Sequence, residues 1–187
     1  MKKLLIILSL LTVISCANKD KKIRFDFSVD TKKSNIGNGA KLDLAVFDDR
    51  LENASIGSKE YCDNKKITIS TDQNLAELLQ KKISDSLLQK GFKQGNDRLI
   101  EIHIEHLQYK AECGFILGKS QAEVAIKVSV KDPKSNAKII KDFELSLSNK
   151  HFILPLITTD EKIINDLLET VIKDILDNNI LLKNPAQ

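Results

Sequence analysis

Residues 121–131 read Gln-Ala-Glu-Val-Ala-Ile-Lys-Val-Ser-Val-Lys, and Ala122, Val124, Ile126, Val128 and Val130 fall on every second position. Strict alternation of this kind marks a strand with one face buried. Asp132-Pro133-Lys134-Ser135-Asn136 follows as a turn. Beyond it, residues 139–148 carry Phe143, Leu145 and Leu147 with the same period. Upstream, Leu99 to Glu112 begins with Ile100, Ile102 and Ile104 on one face, then shifts to Leu107, Tyr109 and Ala111. A one-residue slip in a period of two predicts a β-bulge near His106. The three strands form an antiparallel meander.

Two helical patterns flank the meander. Leu75, Leu78, Leu79, Ile83 and Leu87 make one stripe over about 73–90, with Thr71 or Asp72 as cap and Glu77 in the first turns. Gly91 stands where a left-handed residue ends a helix, and Phe92 can pack back on the last turn. The second helix spans about 160–178. Ile163, Ile164, Leu167, Leu168, Val171, Ile172, Ile175 and Leu176 form its broad stripe, Asp160 is expected to face water, and Thr158 and Glu161 have capping-box spacing. Earlier, Leu42 to Phe47 reads as a strand ending in solvent at Asp48-Asp49-Arg50. Residues 51–65 read as a loop, and Lys66-Ile67-Thr68-Ile69-Ser70 as a short strand. The expected order is β-β-α-β-β-β-α. One-sided helices need a sheet face to cover, so the predicted class is α+β: a two-layer sandwich, mostly antiparallel, with both helices on one face.

At the amino terminus, Met1-Lys2-Lys3 precedes an apolar run from Leu4 to Ile14, which ends in Val13-Ile14-Ser15-Cys16. The run is too short for a transmembrane helix and reads as a secretory signal. Its end resembles the bacterial lipobox. The resemblance implies that the Cys16 thiol takes a diacylglycerol, that the signal is cleaved between Ser15 and Cys16, and that the new amine is acylated with a fatty acid such as palmitate. Two or three acyl chains anchor a protein stably, at ~0.8 kcal/mol per buried methylene. Ala17, rather than Asp, after the Cys points to the inner leaflet of the outer membrane, facing the periplasm. The expected division is 1–15 signal peptide, 16–40 lipidated terminus and tether, 41–182 a single domain, and 183–187 a tail. Ile23, Phe25, Phe27 and Val29 have strand period within that tether, so a segment docked on the domain is the other reading of 23–29.

The chain has 187 residues and a formal charge of +3. Lys2 and Lys3 leave with the signal, so the mature chain carries 27 basic against 26 acidic side chains. Six of the basic groups fall within residues 17–33. The remainder is net acidic and offers no concentrated basic face for nucleic acid. With no Trp and few other aromatics, the core must be built from Ile, Leu and Val.

Candidate chemistry is sparse. His103 and His106, three apart on a strand, are expected on opposite faces, and His151 stands apart. No metal site, cofactor site or catalytic set is expected, and none of the common hydrolase, zinc or phosphate motifs is present. Asp48-Asp49-Arg50 reads as a strand-end ion pair, and Glu101 with Glu105 as a solvated face. Cys62 and Cys113 share an oxidising compartment. They either form a disulfide or remain separate thiols, at least one of them buried.

The plan resembles the YajG family of bacterial lipoproteins over nearly all of the mature domain. The matching features run in order: the strand into Asp48-x-Arg50, Lys66-Ile-Thr-Ile-Ser, Leu75-x-x-Leu78-Leu79-Gln80, Gly91-Phe92, the three strands, and the helix near Asp160. Cys62 and Cys113 match no motif of that family. The resemblance implies an outer-membrane-type lipoprotein without a catalytic site. The leading expectation is a non-catalytic module that is held on a membrane and meets an envelope protein. The alternatives are an accessory in outer-membrane or lipopolysaccharide assembly, suggested by fold analogy alone, and a binder of an acyl chain or cell-wall fragment.

Overall fold

The alternating stretch lies inside a seven-stranded sheet in the computed structural model, which describes residues 20–29 and 33–178. The strands are β1 (Lys21–Lys22), β2 (Lys41–Asp48), β3 (Ser55–Glu60), β4 (Lys66–Ser70), β5 (Lys93–Glu112), β6 (Gly118–Lys131) and β7 (Lys138–His151). Helix α1 (Leu75–Gln89) falls between β4 and β5, and α2 (Ile157–Asp177) follows β7. The fold is α+β. The β5–β6–β7 meander is antiparallel as expected, and its register shifts between Ile104 and His106. Glu105 and His106 are consequently exposed in succession, and the apolar face resumes at Leu107.

The sheet is mixed: its longest ladders are antiparallel, and three shorter pairings are parallel. β2 runs parallel to the first half of β5, β3 parallel to its second half, and β1 parallel to β4. A parallel pair needs a long crossover, and the chain from β2 to β5 supplies one that includes α1. Two strands beyond the expected order precede α1. One is β3, within the segment read as a loop. Its sequence, Ser-Ile-Gly-Ser-Lys-Glu, offers a single large apolar residue, Ile56. Gly57 sits at φ +151°, and a Cβ there would lie 1.8 Å from the Tyr109 carbonyl oxygen, so only glycine permits this approach to β5.

The other is β1, and with it the tether expectation is corrected for residues 20–29. Ile23, Phe25 and Phe27 are buried in the core. Gln73 accepts from the Phe25 amide (2.5 Å), and Asn165 of α2 brackets the same segment, accepting from Asp26 N (3.0 Å) and donating to Arg24 O (3.1 Å). Lys82 of α1 donates to Phe27 O. Residues 34–40 are also tied down, through Gly37 N to Lys90 O (2.8 Å) and Gly39 N to Gly91 O (2.9 Å). The packed body therefore begins well before residue 41.

Both helices join the same buried apolar cluster as the sheet. The cap of α1 is Asn74, not Thr71 or Asp72: its Oδ1 accepts from Glu77 N at 3.2 Å. Thr71 and Asp72 are used elsewhere, Thr71 Oγ1 by Gln73 N and Asp72 by Lys22. Gly91 closes the helix at φ +86°, with Phe92 N bonded to Leu87 O and Gly91 N to Leu88 O, a Schellman ending. The Thr158/Glu161 box does not form. The cap of α2 is Leu156, which has no side-chain oxygen to offer. At the far ends of the helices, Lys90 Nζ donates to Leu176 O (3.2 Å) and Asp177 Oδ1 (2.8 Å), placing a cation at the negative end of α2. Among the described residues, no helix is long and apolar enough to cross a membrane.

Candidate functional site

Three connections meet at one end of the sheet: the β3–β4 turn (61–65), the β5–β6 turn (113–117) and the β7–α2 link (152–156). The first is a tight turn with Asn64 in the left-handed region, closed by Asn64 N to Tyr61 O and Tyr61 N to Lys65 O. Cys113 N donates to Glu60 O at 3.1 Å, which sets the first two connections side by side. The structure joins Cys62 to Cys113 by a disulfide, with Cα atoms 5.1 Å apart. Beside the bridge opens a mostly apolar cleft of about 750 Å³, whose lining includes Tyr61, Cys62, Cys113, Phe152, Ile153 and Leu154.

Beneath this end lies a buried polar chain that the sequence did not announce. Lys59 points inward from β3 and Asp160 inward from α2, and they pair at 2.6 Å with side-chain exposures of 1% and 0%. Lys59 also donates to Pro155 O, and the Tyr109 hydroxyl donates to the other Asp160 oxygen at 2.5 Å. Burial, reinforced by the Asp160 carboxylate, pushes the Tyr109 phenol far above its ordinary range, against a smaller opposing effect from Ser120. Ser120 in turn shares a hydrogen bond with His151 Nε2 at 2.7 Å. The expectation that Asp160 faces water is overturned, because the first turn of α2 directs Asp160 inward, where Lys59 of β3 and Tyr109 of β5 bond to it. Asp160 and Tyr109 do carry a faint signal, and Lys59 carries none. Asp160 is in register with the apolar stripe of Ile163, Ile164 and Leu167, and Tyr109 alternates with Leu107 and Ala111. Chemically the arrangement is a clamp, in which an ammonium, a carboxylate and a phenol satisfy one another inside the protein.

The residues singled out from sequence fall elsewhere. Ser15 and Cys16, with the whole of 1–19, lie outside the described residues, as does the tail 183–187. His103 and His106 both lie on the polar outer face, because the bulge at Glu105 restores the side that plain alternation would have reversed. They take separate acids: His103 Nδ1 meets Asp49 at 2.8 Å and stacks on Phe47, and His106 is 3.9 Å from Glu123. Among the described residues, no three His, Cys, Asp or Glu side chains are placed to hold a metal ion. Arg50 is nearly buried rather than solvated. It grips both Asp48 oxygens at 2.7 Å and donates to Asn53 O, tying down the loop into β3. Glu101 pairs with Lys131 and Ser129, and Glu105 with Lys127, as cross-strand contacts on the outer face. The bonds from Lys131 and Ser129 hold the Glu101 carboxyl below its usual range.

A family model described as an uncharacterised lipoprotein, Lipoprotein_16, matches residues 28–183. No curated protein matches the sequence. Among solved structures, protein XCC0632 from Xanthomonas campestris is similar with a TM-score of 0.51 at 6% identity, over 86% of this chain and 94% of its own. An uncharacterised protein is similar with a TM-score of 0.51 at 11% identity, over 84% of this chain and 97% of its own. At these identities the likeness concerns the fold alone.

Proposed function

Because this chain belongs to the family of uncharacterised lipoproteins that includes the YajG proteins, we propose that it is anchored in the cell envelope through Cys16 and works by binding rather than catalysis. The observation that carries this reading is the docked segment. Asp26 and Phe27, about ten positions after Cys16, are hydrogen-bonded to Asn165 of α2 and Lys82 of α1. A lipid at Cys16 would thus hold a two-layer body, helices over one sheet face, directly against a leaflet. Ala17 favours the inner leaflet of the outer membrane. The buried Lys59–Asp160–Tyr109 chain supports a binding role, since its ionisable groups are spent on one another. The occupant of the binding surface is proposed to be another envelope protein.

Cell fractionation of a Cys16→Ala variant tests the anchor, with release from the membrane pellet expected. A variant that stayed in the pellet, or a mature mass starting anywhere but residue 16, would overturn it. In-envelope crosslinking and pulldown tests the binding role: a discrete partner supports it, and a random sample of abundant proteins counts against it. The cleft beside the disulfide favours a second reading, a binder of an acyl chain, because its volume and apolar lining suit one. Native mass spectrometry showing a clean unliganded mass would remove that reading.

A further inference from the structure

The strand direction of β1 sets the course of the chain toward the anchor. β1 runs parallel to β4, with Lys21 beside Ile69, and β4 starts at the 61–65 turn. Traced backward from Lys21, the chain heads for the end that carries the cleft, and Lys21 itself lines that cleft. Cys16 is five residue steps from Lys21, a reach of at most ~18 Å at full extension.

Among the described residues, that same end presents most of the strongly exposed large apolar side chains, Leu51 on the β2–β3 loop being the exception at 104%. Phe115 and Ile116 on the β5–β6 turn are 105% and 73% exposed, and Phe152 and Ile153 after β7 are 87% and 85% exposed. The two connections are neighbours, since Gly118 pairs with His151 at their roots, and the disulfide pins the first of them. Adjacent apolar tips held out in water mark a contact surface. Phe115 and Ile116 project from their turn outside the cleft, while Phe152 and Ile153 line the cleft and are still largely exposed, so this end of the body suits contact with a soft apolar phase. The nearest such phase to a chain fixed at Cys16 is the leaflet that holds its acyl chains, and the short reach keeps it at high effective concentration.

We infer that Phe115, Ile116, Phe152 and Ile153 insert into the lipid leaflet carrying the Cys16 anchor, forming a second membrane contact that fixes the orientation of the body. This inference rests on the Cys16 reading above. The chain contains no Trp, so Phe115→Trp, Phe152→Trp and Ile140→Trp each introduce a lone reporter. Ile140 is half exposed on β7, opposite Ser129 and remote from the cleft. All three lie outside the core. Each full-length, lipidated protein is reconstituted into phosphatidylethanolamine–phosphatidylglycerol vesicles with and without bromine on the acyl chains.

The expected result is a blue-shifted emission for the 115 and 152 reporters, most of it lost in brominated vesicles, with the 140 reporter unchanged. Vesicle flotation with the 115 and 152 reporters unquenched overturns the inference and leaves the anchor standing. A blue shift that bromine does not quench also overturns it, because protein then covers the tips. Protein with an unmodified Cys16 by mass that fails to float removes both readings. Unmodified protein that floats with both tips quenched upholds the contact and removes the anchor.

Discussion

Replacing Lys59 by Met leaves the Asp160 carboxylate buried with only the Tyr109 hydroxyl for company. Lys59 and Asp160 are 1% and 0% exposed and sit 2.6 Å apart, so the discount for solvent screening of surface pairs does not apply. Removing one partner of such a pair costs about 3–5 kcal/mol, since a charge is stranded away from water. For a domain of this size a kilocalorie corresponds to roughly 2–4 °C in Tm, which puts the expected fall at roughly 6–20 °C. Removing both charges is a different matter. Lys59→Met with Asp160→Leu exchanges the pair for packed apolar groups, which is often close to neutral. The Tyr109 hydroxyl then lacks its acceptor, at about 1–3 kcal/mol, and Tyr109→Phe in that background should recover the loss. Urea unfolding of the parent, the two single variants, the double and the triple, all with the disulfide intact, supplies the cycle. A Lys59→Met loss under about 1 kcal/mol, the scale of an exposed pair, would refute the reasoning. So would a double variant worse than the sum of the singles.

Denatured, unreduced protein should show no reactive thiol at Cys62 or Cys113, and the paired Ser variant should lose about 2–4 kcal/mol while keeping its circular dichroism; two titratable thiols would contradict the bridge. Tyr109 gives a pH signature. Its folded phenol is raised above the ordinary value of 10.0, so its stabilisation is complete below that pH and declines as the unfolded chain begins to release the proton. Tyr109→Phe should therefore flatten the fall of stability above pH 10 by up to about 1.4 kcal/mol per pH unit, and unchanged slopes in urea titrations would exclude a buried phenol. Phe25→Ala should cost about 3–5 kcal/mol, as for a core aromatic; a loss within about 0.5 kcal/mol, typical of surface sites, would show the segment to be undocked.

The parts of this fold legible in the sequence are those whose signal is periodic and local. β5, β6 and β7 announce themselves because alternation over many residues has no other use, and the slip at His106 is visible because it breaks that rule. Helix α1 ends at Gly91–Phe92 for a reason that also reads locally. The parallel pairings do not, because β2 and β3 find β5 only through long-range contacts. β3 is hidden by composition: its buried positions are Ile56 and Lys59, three apart across a register shift at Gly57, so neither hydrophobicity nor period marks it. Lys59 and Asp160 are concealed from each other, since each alone looks like a solvated charge. Their meeting depends on where α2 comes to rest against the sheet, which no spacing in the chain encodes.

The amino-terminal segment bears most directly on what the protein can do. A free tether covering residues 17–40 would have an average span of roughly 27 Å and would let the body sample many orientations. With Ile23, Phe25 and Phe27 docked, only a few residues separate Cys16 from the packed body, and Lys21 stands beside the cleft. Location alone would not need this, because acyl chains retain a protein equally well on a long or a short lead. Burying three apolar side chains at about 1.5–3 kcal/mol each makes residues 23–27 part of the body, so under the proposed anchoring a constraint at Cys16 would reach the helices through only a few residues. Under the proposed anchoring, orientation relative to the leaflet becomes a property of the fold. Lengthening the chain between Ala17 and Lys21 with a flexible insert should then leave stability unchanged while impairing any partner contact that depends on orientation. Equal partner crosslinking at every insert length would show that position alone matters.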